Sequence, residues 1–439
     1  MDIILKFGSI FFVSLIILKA TYDSICLIYP THRQLFFRFY SGSVSYLGYL
    51  TRFRNPEILQ KHRASIRAYS QLFLLFIFNR LSIACAAAIL LSLTHDSPLN
   101  IAEYFREIWA RWDTRHYLHI AEHWYPREGS EVVILVFYPM FPLLIKLVNY
   151  LVGDYFLSGM LVSNVCFLLS LFLLYRLALL EFASRTIAFH SCALMLVFPI
   201  SYFTSIAYTE GTFLLFSIAC FYCIRREHWL LAGLFGMGAA LTRNQGLILF
   251  APMLYELLRS HIVQFRRGES FTRFDLVSRY ATALLIPMGT LIYLWINKDI
   301  SGDWFKFLEY QKNHWSQTAI LFTDNIVNIR QRLDFNNPGM TIGSWLPSMF
   351  TYVSFLILIV VAAFKLPTAY TIYAITFFII SYSPSWLLSG PRYVYVLFPV
   401  YMALASLIHD RVAARILIYN ILSLFTGVML LAFIKNTVY

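Results

Sequence analysis

Long apolar segments separated by short polar ones occupy almost the whole chain. Many of them continue for roughly 18–25 residues, the length that an α-helix needs to cross a bilayer. They do not alternate with a period of two, as the strands of a membrane barrel do. Since backbone polar groups inside lipid must be satisfied within the segment itself, the pattern predicts an all-α, polytopic bundle of transmembrane helices.

We predict about twelve spans from this pattern, with boundaries that sequence reasoning places only to within a few residues. They are residues 1–30, 71–94, 155–180, 187–203, 211–224, 229–241, 246–258, 280–297, 346–364, 368–384, 393–408 and 416–434. The apolar region that begins near residue 133 is interrupted by Pro139 and Pro142, which disfavour a regular buried helix. We therefore predict that 140–151 is an interfacial helix belonging to the first external loop.

The composition and the charge of the chain also indicate that it lies in a lipid bilayer. Hydrophobic residues make up 59% of the 439 residues, charged residues only 13%, and the mean hydropathy is +0.64. A soluble domain carries about 25% charged residues. The net charge of +12 does not indicate nucleic-acid binding, because the basic residues cluster in short loops between apolar segments. The six cysteines lie in apolar stretches, which argues against a disulfide framework.

The basic loops set the orientation and the predicted division of the chain. Residues 31–69 carry a single acid, Glu57, and seven bases: Arg33, Arg38, Arg52, Arg54, Lys61, Arg63 and Arg67. This excess predicts a cytoplasmic segment. No small-residue cleavage site follows the first apolar segment, so we interpret it as an anchor helix. Residues 1–69 are predicted to be this anchor plus the basic cytoplasmic segment, and residues 70–439 the transmembrane domain.

Loops rich in acids and aromatic residues all fall on the opposite, external face in this topology. Asp113 is the candidate catalytic residue, and the candidate substrate-binding residues are Trp112, Arg115, His116, Tyr117, Glu122, Tyr208, Glu210, Arg243, Asn244, Asp303 and Arg392. Ionisable groups near membrane depth are costly and usually functional. Arginine forks bind phosphate, and a carboxylate accepts the proton of an attacking hydroxyl. A sugar linked to polyprenyl phosphate offers both features.

Several of these residues have a purely structural alternative. Asp113 beside Trp112 could pair with Arg111 or Arg115 on an interfacial helix. Glu210 is an ordinary choice at a helix start, where acids are favoured. These alternatives stay open at the level of spacing alone.

Histidines in the first loop suggest a metal face, since His116, His119 and His123 follow helical i, i+3, i+7 spacing. No H-E-x-x-H arrangement accompanies them, so we predict a polar interface and no metal site. Arg392 follows Gly390 and Pro391 at a predicted helix start, where a cation opposes the helix dipole. This electrostatic mismatch favours a bound anion there.

The polar segments together resemble a known family. The first loop reads RWDTRHYLHIAEHWY at 111–125, and four further segments follow in order: FYPMFPLL at 137–144, YTE at 208–210, LTRNQG at 241–246 and SGDWFKFLEYQ at 301–311. With PRY at 391–393 and FP at 398–399, this series resembles GPI mannosyltransferase 2 and its prokaryotic relatives. The resemblance spans roughly residues 70–410. One departure is Trp124, which stands where many relatives have a glycine.

The resemblance implies the GT-C architecture and an inverting transfer of a sugar from dolichyl or undecaprenyl phosphate on the non-cytoplasmic face. It implies that Asp113 is the base for the acceptor hydroxyl, that Arg243 and Arg392 stabilise the departing phosphate, and that Tyr208 and Glu210 position sugar hydroxyls. No cofactor is required, although a divalent cation, Mg²⁺ or Mn²⁺, bridging acid and phosphate stays open.

The implied partners are a polyprenyl-phosphate sugar donor, a glycan or glycolipid acceptor and the lipid bilayer, with no nucleic acid. The wording of the motifs favours a bacterial cytoplasmic membrane with the active site facing outward, and the endoplasmic reticulum membrane is the alternative. Two other functions stay open. A transporter or flippase of polyprenyl-linked sugars predicts inverted repeats and charges near the midplane, and a non-catalytic subunit of a transferase complex predicts no turnover by the chain alone.

Overall fold

A computed structural model of the protein describes residues 2–28, 66–93, 105–106, 108–269, 272–336 and 338–435. Most of these residues are helical, and apart from one isolated antiparallel bridge between Ala319 and Pro384 they contain no β-structure. The all-α prediction is therefore confirmed. Most of the predicted basic segment 31–69 lies outside the described residues, as does the beginning of the first external loop.

Eighteen α-helices longer than one turn are described. They are α1 (Asp2–Ile28), α2 (Ile66–Ser92), α3 (Asp113–His123), α4 (Met140–Val152), α5 (Tyr155–Phe182), α6 (Arg185–Leu196), α7 (Glu210–Arg225), α8 (Trp229–Thr242), α9 (Phe250–Arg266), α10 (Arg273–Ala283), α11 (Leu285–Ser301), α12 (Lys306–Trp315), α13 (Phe322–Gln331), α14 (Leu346–Lys365), α15 (Thr368–Ser381), α16 (Gly390–Tyr395), α17 (Pro399–Ile408) and α18 (Val412–Ile434). Short 3₁₀ segments occur at Ser130–Val136, Ser201–Thr204 and Asn244–Leu249.

Six of the described helices are long and apolar enough to cross a membrane, or up to eight if each of two bent helix pairs is one span. Three more apolar helices, α8, α15 and α17, are shorter. Each predicted span contains at least one described helix, and the chain is a multi-pass membrane protein. The predicted total of about twelve spans stays a prediction.

The proline-containing region turns sharply, as the sequence predicts. The chain bends by 104° between Ser130–Val136 and α4, which begins directly after Pro139. On α4, Phe141 and Ile145 are buried while Leu147 and Leu151 are exposed. An exposed apolar side opposite a buried one is typical of a helix that lies along a membrane surface.

Helix α7 forms the centre of the bundle, where it packs between α5 and α8. Its first turn approaches α5 closely because Gly211 has no side chain: a Cβ at this position would lie 2.4 Å from the carbonyl oxygen of Ser163. This close packing places Glu210, the first residue of α7, inside the protein.

The far end of α7 is held by a buried ionic cluster. Arg225 is fully buried and pairs with Glu181 of α5 (2.6 Å) and Glu256 of α9 (3.0 Å). Arg259 pairs with the same Glu256 (2.6 Å), and the hydroxyl of Tyr370 on α15 donates to Glu181. Breaking a buried pair of this kind by removing one partner costs about 3–5 kcal/mol. The cluster therefore ties four helices together at the end opposite Glu210.

Helix α1 contacts the bundle near both of its ends. Asp2 and Lys6 pair with Arg330 and Asp324 of α13, and Asp23 accepts a hydrogen bond from Thr368 at the start of α15. The predicted division between residues 1–69 and 70–439 stays a prediction.

Candidate active site

Four charged side chains from four separate segments meet at one end of the bundle. The guanidinium of Arg392 lies 2.8 Å from Asp113 through Nη2 and 3.4 Å from Glu210 through Nε. Arg243 Nη2 lies 3.0 Å from the same Oε1 atom of Glu210. The result is a continuous chain of alternating charge, Asp113–Arg392–Glu210–Arg243.

Burial makes these ion pairs strong. The side chain of Glu210 is 0% exposed, those of Arg243 and Arg392 are 10% exposed, and that of Asp113 is 22% exposed. Burial alone would lower the pKa of the Arg392 guanidinium, but the charges of Asp113 and Glu210 outweigh it and hold this pKa well above its ordinary value. Two carboxylates and two guanidiniums balance, so the formal charges of the cluster sum to zero.

Three buried polar atoms of the cluster lack a hydrogen bond of good geometry within the described part of the chain. Among the described residues, none forms a hydrogen bond with Glu210 Oε2, Arg243 Nη1 or Arg392 Nε, although all three atoms are buried. Buried polar atoms are nearly always satisfied by protein or by bound solvent and ligand. Arg392 Nε already faces Glu210 at 3.4 Å, whereas Arg243 Nη1 is a donor beside the cavity that is suited to holding an anionic group.

The position of Arg392 follows from its local sequence. Pro391 occupies the first turn of the short helix α16, where a missing N–H costs nothing. The guanidinium carbon then lies 5.0 Å from the ring centre of Tyr208 and 5.5 Å from that of Phe203. Both aromatic faces attract the cation. In the structure the carboxylate of Asp113 lies beside Arg392, and the bound anion stays a prediction.

Arg243 is presented by a sharp turn between α8 and the 3₁₀ segment Asn244–Leu249. Its extended backbone (φ −155°, ψ 153°) ends α8, and Gly246 then passes directly over that helix. A Cβ on Gly246 would lie 2.2 Å from the carbonyl carbon of Ala239. Only glycine permits this approach, which explains the glycine in the LTRNQG segment.

Asp113 is the first residue of α3 and follows a strained residue. Trp112 has a φ of +52° and a ψ of −127°, a conformation that costs a non-glycine residue of order 1–3 kcal/mol. The buried side of α3, which includes Tyr117 and Ile120, packs against α4 and α5. This packing holds Asp113 at the cavity with its side chain directed to Arg392.

The backbone at the other end of α3 is strained at Trp124. Its backbone has φ +69° and ψ −167°, a region that is essentially reserved for glycine. A glycine would adopt this conformation without strain, and Trp124 occupies it at a cost.

This strain predicts an unusual order of stabilities. Outside strained positions, alanine is more stable than glycine by about 0.4–1 kcal/mol. At position 124 we expect the opposite: Trp124→Gly unfolds at a higher temperature than Trp124→Ala in detergent micelles. The matched pair His119→Gly and His119→Ala, inside the same helix, keeps the ordinary order. Equal midpoints for the two position-124 variants would show that the turn is not strained.

A cavity of about 1040 Å³ opens beside the charged cluster. The predicted residues that line it are Trp112, Asp113, His116, Tyr117, Arg243, Asn244 and Arg392. Glu210 and Tyr208 lie behind this wall, where Glu210 binds both arginines and the Tyr208 hydroxyl donates to the carbonyl of Arg111 (3.4 Å).

Besides Glu210 and Tyr208, three more predicted residues do not line the cavity, and their described contacts lie outside the charged cluster. Arg115 donates to the carbonyl of Ala110, the carboxylate of Glu122 lies 3.6 Å from His123, and Asp303 accepts the backbone N–H of Phe305 in a local turn. Each of these contacts is local in the sequence.

The opposite wall contains residues that the sequence did not single out as site residues. Segments 311–319 and 381–389 run beside each other there and contribute Trp315, Trp386 and several hydroxyl and amide groups. Lys312 also faces the cavity. The sequence carries one indication of this wall: Trp386 lies in a predicted external loop, between the spans 368–384 and 393–408.

His116 stacks on Phe137, with ring centres 4.9 Å apart. Burial lowers the pKa of His116 below its ordinary value, and the charge of Asp113 offsets only part of this effect. The unfolded chain therefore binds a proton at about pH 6.5 that the folded protein binds only at lower pH.

As far as His116 determines it, we expect the free energy of unfolding to be constant above about pH 6.5 and to decrease as the pH drops below that value. Thermal unfolding midpoints measured between neutral and mildly acidic pH check this. His116→Gln, which cannot be protonated, should lose less of its midpoint over the same interval than the natural chain. An identical pH slope for both proteins would contradict the assignment.

Within the described part of the chain, no group of three or more His, Cys, Asp or Glu side chains is placed to hold a metal ion. His119 and His123 do contact each other, with ring centres 5.0 Å apart, while His116 is occupied by Phe137. We assign no chemistry to the histidine series.

Several solved structures are similar to this chain in part. ArnT from Cupriavidus metallidurans, bound to undecaprenyl phosphate, is 18% identical over 64% of this chain and 51% of its own, with a TM-score of 0.41. The Archaeoglobus fulgidus oligosaccharyltransferase in its apo form is 13% identical over 82% and 56%, with a TM-score of 0.42. The chain spans about half the length of each structure. No curated protein matches the sequence.

A family match covers the centre of the chain. Residues 138–270 match the family described as dolichyl-phosphate-mannose-protein mannosyltransferase. The matched part contains Tyr208, Glu210 and Arg243, whereas Asp113 and Arg392 lie outside it. The segment that carries half of the charged cluster is therefore similar to mannosyltransferases that use dolichyl-phosphate-mannose.

Proposed function

We propose that this protein is a membrane glycosyltransferase of the GT-C type, which moves a sugar from a polyprenyl-phosphate donor to an acceptor hydroxyl. One observation carries the proposal: the carboxylate of Asp113 faces a large cavity and is paired with Arg392, beside a second arginine with an unused donor. A base next to a cationic group is what a displacement of phosphate by a hydroxyl requires. The family match at residues 138–270 supports the same reaction class.

The proposed step is a single displacement. The acceptor hydroxyl loses its proton to Asp113 as its oxygen bonds to the anomeric carbon, and the bond from that carbon to the phosphate oxygen breaks. The lipid phosphate leaves with the electron pair, and the configuration inverts. No described residue bonds to Oδ1 of Asp113, so this oxygen is available for the proton while Oδ2 faces Arg392.

The arginines have unequal roles in this scheme. Arg392 is shared between Asp113 and Glu210, so it orients the base towards the cavity. Arg243 keeps Nη1 unpaired within the described structure and is the better group to receive the phosphate charge. Lys312 on the opposite wall adds a second cation for the same anion.

The finer assignments rest on the motif resemblance and on the name of the matched family. We propose mannose as the transferred sugar, a glycan or glycolipid as the acceptor and an outward-facing site in a bacterial cytoplasmic membrane. The proposed mechanism gives no step to a metal ion and assigns no role to Arg115, Glu122 or Asp303, whose described contacts are local.

The deciding experiment uses the purified chain in lipid nanodiscs. It is given mannosyl-, glucosyl- and N-acetylglucosaminyl-polyprenyl phosphate in turn with an oligosaccharide acceptor, and the product is identified by mass spectrometry. We expect mannose transfer with inversion. Transfer of another sugar would replace the donor assignment alone. No transfer by the pure chain, together with movement of the donor across proteoliposomes, would establish the transporter in place of the enzyme.

A further inference from the structure

Arg80 is a basic residue near the middle of the 27-residue helix α2, which is one of the candidate membrane spans. At 1.5 Å per residue it lies about 20 Å from each end of that helix. Among the described residues, no carboxylate pairs with it. A charged group at this depth is costly, and such groups usually serve a function.

The guanidinium instead binds a loop. Its Nη2 donates to Thr204 Oγ1 (2.7 Å) and its Nη1 donates to Ser205 Oγ. It also lies 4.7 Å from the ring centre of Phe76 and 5.0 Å from that of Phe167, so aromatic faces replace the missing counter-ion. A planar fork can reach two hydroxyls at once, which an ammonium group cannot do in the same geometry.

The loop that Arg80 binds runs from residue 197 to 209 between the short helices α6 and α7. Non-helical backbone at membrane depth requires protein groups to satisfy it. Here Asn79 donates to the carbonyl of Leu196, Asn164 to that of Ser205 and Thr426 to that of Val197. Arg80 is the charged member of this set of polar side chains.

The same loop leads directly into the charged cluster. Tyr208 lies under Arg392, and Glu210 binds both Arg392 and Arg243. A displacement of the loop by a fraction of an ångström therefore moves the partners of the arginines. Misplacement of about 1 Å at an active site can reduce the rate by about a hundredfold.

We infer that Arg80 is a positioning residue: by holding Thr204 and Ser205 it fixes the 197–209 loop and thereby sets Glu210 and Arg392 against Asp113. The catalytic consequence rests on the proposed function, whereas the placement of the loop does not. The contact between Arg80 and the loop hydroxyls carries the inference.

The test compares Arg80→Met and Arg80→Lys with a control, Arg176→Met, in nanodiscs. Arg176 lies on α5, with its guanidinium 5.5 Å from the ring of Tyr222, and has no contact with the loop. Hydrogen exchange of the 201–209 amides is followed by mass spectrometry. These amides include Phe203 and Ser205, which bond within the loop, so their exchange reports its opening.

We expect Arg80→Met to exchange faster at 201–209 while the rest of the bundle is unchanged, and kcat to fall at least about tenfold with the donor KM nearly constant. Arg80→Lys should recover part of the protection from exchange and part of kcat. Thr204→Val introduced into Arg80→Met should change exchange and kcat little further. Unchanged exchange at 201–209, faster exchange throughout the bundle, or the same loss in Arg176→Met would overturn the inference. Hydrogen exchange needs no substrate. Absence of transfer by the natural chain would therefore reject the proposed function, while the exchange data would still decide whether Arg80 holds the loop.

Discussion

Asp113→Asn should abolish sugar transfer, with kcat lower by about a thousandfold, which is within the range that a positioned general base contributes. The amide of asparagine has nearly the same shape as the carboxylate, and its oxygen can still accept from Arg392 Nη2. The variant should therefore fold and bind the donor with a KM close to that of the natural chain. Only the group that accepts the hydroxyl proton is removed.

The measurement is single-turnover transfer from mannosyl-polyprenyl phosphate by purified protein in nanodiscs. Asp299→Asn is the matched control, because it makes the same chemical change on an exposed aspartate that pairs with Arg127. The control should keep its rate. If Asp113→Asn retains the natural rate of transfer, Asp113 is not the base and the proposed mechanism is wrong.

Glu210→Gln should have the second large effect, on folding and activity together. Glu210 is fully buried and its carboxylate serves two guanidiniums. Removing its charge leaves Arg243 with no anion among the described residues and leaves Arg392 with Asp113 alone. Removing one partner of a buried ion pair costs about 3 kcal/mol or more. The variant should unfold at a clearly lower temperature, and the remaining folded protein should transfer sugar poorly.

The control for this variant is Glu227→Gln, an exposed glutamate that accepts from Ser260 and Gln264 at the other end of the bundle. It should change the unfolding midpoint only slightly, since exposed polar pairs contribute about 0–1 kcal/mol. Glu210→Asp keeps the charge, so its unfolding midpoint should lie between those of Glu210→Gln and Glu227→Gln. A Glu210→Gln protein that is as stable and as active as the natural chain would show that the charged cluster does not hold the site together.

Much of the secondary structure was predictable because its causes are local. The length of the apolar segments set the helices, Pro139 set the start of α4, and the turn at Arg243–Gly246 ended α8. Prolines, glycines and apolar runs act through the backbone of their own neighbours, so no tertiary information is needed to interpret them. The candidate residues Asp113, Glu210, Arg243 and Arg392 were also visible as charges in loops of one predicted face.

The pairing among those residues was not predictable. Arg392 binds Asp113 and Glu210 from a segment far away in the sequence, and nothing in its own neighbourhood distinguishes these partners from a phosphate. The predicted spans 211–224 and 229–241 leave Arg225 in the loop between them, yet the structure buries it between Glu181 and Glu256. Ion pairing depends on the distance between side chains after the helices pack, and distances of this kind are absent from local patterns.

The sequence by itself determined that this is a helical membrane protein, and it predicts that the loops rich in acids and aromatic residues share one face, because hydrophobic length and charge position act segment by segment. Only the tertiary structure decided which of those charges meet. Close packing at Gly211 buries Glu210, the polar contacts of Arg80 hold the loop before it, and Arg392 then joins Glu210 to Asp113. Burial makes these contacts strong, and burial exists only once the helices are packed.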